Sequence, residues 1–134
     1  MVAWLVGLVL FAHGVGHSLG ILQATSVATV NRGWNGESWL LTGAVGIDVT
    51  RLIGIGLWSI ALIGFSAAAA AVVGWLPASS FGPLAIVSAV ASLVALALFP
   101  VAFPAFSTIA ALAVDVAVLV AVVAWHWEPG KALG

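Results

Sequence analysis

Four long apolar runs, set apart by short clusters of Gly, Pro and polar residues, organise this chain. A helix needs about 20 apolar residues to cross a bilayer. The runs fall at Val2 to Ala24, Leu52 to Trp75, Leu84 to Phe99 and Ser107 to Trp127. Asp48 is placed to cap the second run, which closes at Trp75-Leu76-Pro77. Pro83 opens the third and Pro100 ends it, and Glu128-Pro129 closes the fourth. The connectors LPASSFGP and FPVAFPAF are short, so sequence neighbours are expected to pack antiparallel. The pattern predicts an all-α polytopic membrane protein: one domain over 1–134, built as an antiparallel four-transmembrane-helix bundle.

Residues 25–50 break the pattern and are long for a connector inside a compact bundle. NRGWNGES reads as a turn cluster, with Ser38 able to cap a helix beginning just after it. Trp39 to Val45 is apolar but too short to span. The expectation is a short interfacial helical segment over about 38–46, lying across one mouth of the bundle.

Composition decides the solvent. Charged residues make up 5% of the chain and hydrophobic ones 64%, against about 25% charged in a soluble domain. Such a surface needs lipid around it, which implies a multi-pass cell-membrane protein. Heavy use of Ala, Val and Gly with almost no Lys points to a bacterial source, hence the bacterial inner membrane. The net charge of −1 offers no basic footprint for nucleic acid. Without cysteine, no disulfide, thiolate metal site or thiol nucleophile is possible. Residues 2–24 lack a basic n-region and a small-residue cleavage site, so they read as a retained span rather than a signal peptide. Trp4, Trp75, Trp125 and Trp127 fall at one interface and Trp34 and Trp39 at the other, as aromatic belts do. Arg32 and Arg51 on one side against Lys131 on the other are too few to set orientation.

The few polar groups inside the runs then need a reason. His13 and His17 sit four residues apart and share a helix face. Ala12, Gly16 and Gly20 form a small-residue line beside them, which suits close approach of a second helix and makes the first helix central. Asp115 lies in the most apolar part of the fourth run, where a lone carboxylate costs roughly 2.5–3.5 kcal/mol. His17 and Asp115 each lie about eight residues, or roughly 12 Å, below the same rim, so Asp115 is expected to meet the histidine face. The meeting has three readings. It can be structural glue between helices. It can be a two-His-one-carboxylate metal set, His13, His17 and Asp115, suited to Zn or Fe. It can be a proton or ligand relay. Haem is disfavoured, because two axial ligands must approach from opposite faces, and His126 is far in depth. His126 itself reads as an interfacial residue at a helix C-terminus. Arg32 and Glu37 read as solvated loop residues. Asp48 and Arg51 read as an N-cap with a local ion pair, or as the mouth of the site with Arg51 drawing in an anionic group. Gly54, Gly56, Ser59, Gly64, Ser66 and Ala67–Ala71 allow either tight packing of the second helix or a narrow crevice.

The AHGVGHSLG stretch, the aspartate in the last span and the Trp-ended fourth helix resemble a pattern in small four-span bacterial membrane proteins, most specifically at HGxxH, here His13-Gly14-Val15-Gly16-His17. The resemblance implies the four-span fold and no activity. Small multidrug transporters resemble the chain in size alone, since their first-helix glutamate has no counterpart here. The functional expectations are therefore a non-enzymatic accessory or small-ligand-binding protein, a Zn- or Fe-binding membrane site or enzyme, or a proton-coupled small-solute transporter. The sequence does not identify catalytic residues, and it implies no organic cofactor. The expected partners are the bilayer and, through Gly/Ala-rich faces, a second copy or a membrane-complex partner.

Overall fold

The computed structural model describes residues 1–129, which contain helices and no strand; Lys131 lies outside the described residues. The elements are α1 (Val2–Gly16), α2 (Ser18–Ala24), α3 (Thr42–Val45), α4 (Ile47–Val72), α5 (Phe81–Leu98) and α6 (Ala105–Leu119). A 3-10 turn, Ala78–Ser80, leads into α5, and a π-helical turn, Val120–Ala124, extends α6. Four helical stretches are long and apolar enough to cross a membrane: Val2–Ala24, Ile47–Val72, Ala78–Leu98 and Ala105–Ala124. This is the architecture of a multi-pass membrane protein.

The first stretch is one span with a break at His17. The His17 N–H bonds to the Gly14 carbonyl at 3.0 Å, a three-residue step, and the Ser18 hydroxyl donates to the Val15 carbonyl at 2.7 Å. A hydroxyl bonding back into the ladder beside helix-weakening glycines is a recognised cause of bending. The second stretch starts five residues before the expected Leu52, because Gly46, at φ 82, turns the chain out of α3 and into α4. Gly46 is thus the N-cap and Asp48 stands in the first turn, where its charge still complements the helix dipole. Pro83 is the third residue of α5, within the turn whose amides have no helical partner, so it costs no bond. The fourth stretch ends at Ala124, short of the expected Trp127, where the Trp125 N–H reaches the Val120 carbonyl at 3.1 Å.

Small residues decide which helices touch. A Cβ on Gly64 of α4 would meet the Ser88 hydroxyl of α5, while Gly7, Gly14 and Gly20 lie against Val73, Phe65 and Trp58. The face of the first span that approaches α4 is therefore Gly7/Gly14/Gly20. The expected line is corrected: Gly16 meets no neighbour, and with Ala12 it borders open space. The first helix is also not the central one. The most buried stretch is Ala78–Leu98, at 44%, whereas Ala105–Ala124 is 6% buried and rests mainly on α5.

The 25–46 segment closes one end of the bundle with only one turn of α-helix, α3, in place of the longer segment expected. Its work is done by side chains. Ser38 Oγ donates to the Leu98 carbonyl at 2.7 Å, Trp39 Nε1 to that of Ala97 at 2.8 Å, and Asn31 Nδ2 to that of Val101 at 2.7 Å. Those of Ala97 and Leu98 are carbonyls that the end of α5 leaves without helical donors. Gln23 Oε1 in turn accepts the Val30 and Asn31 amides at 2.9 and 3.0 Å.

Candidate functional site

The break at His17 and the close α1–α4 and α4–α5 contacts bring four polar side chains together. His13 Nε2 lies 2.8 Å from Asp115 Oδ1. Ser92 Oγ donates to Asp115 Oδ2 at 2.5 Å, and His17 Nε2 lies 3.2 Å from Ser92 Oγ. The order is His13–Asp115–Ser92–His17, and it ties the first span to α5 and α6. Asp115 and Ser92 are fully buried and His17 nearly so. Phe65 packs against both rings, edge-on to His13 at 4.7 Å and parallel to His17 at 6.3 Å.

Proton counting fixes the donors. A carboxylate only accepts, and a serine hydroxyl has one proton. Ser92 spends that proton on Asp115, so its oxygen accepts from His17 Nε2–H. His13 likewise donates from Nε2 to Asp115. The Nδ1 atoms of both rings are left without a hydrogen-bond partner among the described residues.

Both imidazoles border a cleft of about 490 Å³ between the first span and α6, walled by Ala12, Gly16, Phe106 and Ala110. The volume is in the roughly 300–1,000 Å³ range of small-molecule sites. His13, His17 and Ser107 are the polar side chains on a wall otherwise lined by apolar residues.

The expected His13, His17 and Asp115 do come together, but not as a ligand set. Among the described residues no three His, Asp or Glu side chains are grouped to hold a metal ion. The physical reason is that the two Asp115 oxygens face His13 Nε2 and the Ser92 hydroxyl, and His17 reaches the carboxylate only through Ser92. Asp48 and Arg51 do not line the cleft. Their expected ion pair is also absent among the described residues. Arg51 Nη2 instead donates to the Asn35 carbonyl at 2.6 Å, with its side chain lying over Gly36. His126 has a left-handed backbone, φ 51, and borders a separate hollow with Trp127 and Glu128 at the end of the π-turn. Glu37 lies in the loop, where its carbonyl accepts from Trp34 Nε1 at 2.9 Å. Ser92 is the member the sequence reading missed. The available signal was the Ser88/Ser92 pair, four residues apart in a run of Ala, Val and Leu.

Comparison of the chain with protein-family models, curated proteins and solved structures finds no match. The resemblance carried by His13 to His17 therefore assigns no family, and function rests on the site.

Proposed function

We propose that this is a non-enzymatic small-ligand-binding protein of the bacterial inner membrane, an antiparallel four-span bundle whose site is the cleft between the first span and α6. The single observation that carries the reading is the placement of His13 and His17 on the wall of a mainly apolar cleft, with their Nε2 atoms held by Asp115 and Ser92. Apolar pockets with a few fixed polar groups are the usual form of a small-molecule site. An imidazole braced on one nitrogen presents the other in a set direction, which is what selective binding requires. The same bonds act as glue between helices, and the two roles are compatible.

Native mass spectrometry of protein released from nanodiscs tests the reading. A stoichiometric apolar adduct is expected on the wild type. Ala110→Trp, which fills the cleft, is expected to remove it while the far-ultraviolet circular dichroism stays helical. Adduct-free spectra for both proteins would sink the proposal.

A further inference from the structure

The hydrogen-bonding capacity of the cleft wall narrows the class of ligand it takes, an inference that rests on the cleft reading above. His13 and His17 each engage Nε2, with Asp115 and with Ser92. Each Nδ1 has no hydrogen-bond partner among the described residues. Neither is sealed in the interior, because the enclosed side-chain nitrogens without a partner there are Arg51 Nε and Trp58 Nε1. The two Nδ1 atoms are therefore open to a molecule in the cleft that both rings border. No Lys, Arg, Asp or Glu borders this cleft. Ser107 is its other polar side chain, exposed in the first turn of α6. Asp115, which His13 meets, lies eight residues further along that helix, roughly 12 Å. Under the four-span reading Ser107 thus sits at the rim among headgroups and water. Its hydroxyl is solvated whether or not the cleft is filled, and the selection falls to the imidazoles.

A group that meets an imidazole nitrogen must suit the proton there. With Nε2 carrying a proton, Nδ1 accepts in a neutral ring and donates in a charged one. A carbonyl, ether or carboxylate oxygen only accepts, and serves a charged ring alone. An ammonium only donates, and serves a neutral ring alone. A hydrocarbon serves neither and leaves the nitrogen unmet in an apolar space. A hydroxyl has one donor and two lone pairs, so it can donate to an Nδ1, accept from one, or turn between the two roles as ring charge changes. A primary amide also does both, but it brings two donors and two lone pairs to at most two nitrogens, leaving the rest desolvated and unpaired. We propose that the cleft binds a lipid-soluble alcohol. Its hydroxyl bonds His13 or His17 at Nδ1, and its apolar body lies between Ala12 and Gly16 of the first span and Phe106 and Ala110 of α6. The hydroxyl is selected in every charge state of the two rings.

Three probes of equal chain length test this: 1-undecanol, 2-undecanone and undecane, titrated into the detergent-solubilised full-length protein labelled with nitrogen-15 in histidine. Each affinity is taken relative to the probe's partition into protein-free micelles. The alcohol is expected to bind about fivefold tighter than the other two, the ratio that one ordinary hydrogen bond supports. It should also move the Nδ1 resonance of His13 or His17, whereas His126, beside a separate hollow, keeps its position. Both readings come from the wild type, so they stand even if His13→Phe or His17→Phe fails to fold. Where the variant folds, loss of the imidazole whose signal moved should bring the alcohol down to the alkane. Equal binding of alcohol and ketone, or of alcohol and alkane, overturns the alcohol proposal and leaves the cleft reading standing. A preference for the alcohol without any Nδ1 shift overturns it too, since the hydroxyl then bonds elsewhere. If no probe binds while Ala110→Trp still removes the native adduct, the alcohol proposal falls alone. If no probe binds and there is no native adduct to remove, both fall.

Discussion

At the scale of single residues, the polar chain is a set of mutual dependencies rather than four separate side chains. Asp115 accepts two bonds, so its removal orphans two donors; Ser92 also makes two bonds, and its removal orphans one donor, that of His17. Interhelical hydrogen bonds in membranes average about 0.6 kcal/mol, because the unfolded chain also finds partners. Ser92→Ala, which removes two such bonds, is therefore expected to lower stability by about 1 kcal/mol. Asp115→Ala, which leaves buried donors unmet, should lower it by about 1–3 kcal/mol. Chemical unfolding in detergent micelles measures both, and a larger loss for Ser92→Ala than for Asp115→Ala would contradict the order of bonds in the polar chain. Gly64 is the other residue with a sharp consequence. A Cβ there would coincide with the Ser88 hydroxyl, itself buried and donating to the Leu84 carbonyl at 2.6 Å. Gly64→Ala is expected to cost about 1–3 kcal/mol by overpacking. Adding Ser88→Ala should restore most of the loss in a double-mutant cycle, and additive losses would show that the clash lies elsewhere.

At the scale of elements, α6 stands apart. It rests mainly on α5, and its side-chain hydrogen bond to the first span is the one from His13 to Asp115. The cleft occupies the space where closer packing of these two elements would otherwise be. Asp115→Asn is thus expected to raise amide hydrogen exchange selectively in Ala105–Ala124, leaving α4 and α5 as protected as in the wild type. Uniform deprotection of all helices would mean that the bond supports the whole bundle rather than the docking of one element. The π-turn at Val120–Ala124 and the break at His17 sit on the two elements that border the cleft. Such interruptions bend a helix locally and re-aim the side chains beyond them.

At the scale of the whole molecule, the four apolar stretches set the topology that the proposal requires. The proposed four crossings would place Val2 and Glu128 on one side and the 25–46 segment on the other. The chain has no cysteine, so single cysteines report cleanly. In sealed inverted vesicles, Val2→Cys and Glu128→Cys are expected to react with a membrane-impermeant maleimide under the same condition, and Asn35→Cys under the opposite one. Labelling of Val2→Cys and Asn35→Cys from the same side would rule out the four-span arrangement.

Much of this is legible in the order of residues alone. The first span matches its expected limits, Val2 to Ala24, because the apolar run gives way there to the polar Thr25-Ser26 and the loop beyond. The other three shifted by a few residues where a local device took over: Gly46 at its positive φ, the 3-10 lead before Pro83, and the π-turn after Leu119. The meeting of Asp115 with the histidine face was also readable, since depth along a helix follows from residue count. What residue count does not carry is rotation about the helix axis and the identity of the third party. Which of two small-residue lines faces α4, and whether a serine from α5 stands between His17 and Asp115, depends on how the helices turn against one another. Hydropathy that is high on every side leaves that rotation open. The sequence by itself therefore determined the helical class, the number of apolar stretches and the depth of the buried polar groups, all of which follow from one-dimensional spacing and the cost of polar groups in lipid. Only the tertiary structure decided that Gly7, Gly14 and Gly20 make the contact, that Ala12 and Gly16 border a cleft, and that His13 and Ser92 meet the two oxygens of Asp115, because each of these rests on packing between segments far apart in the chain.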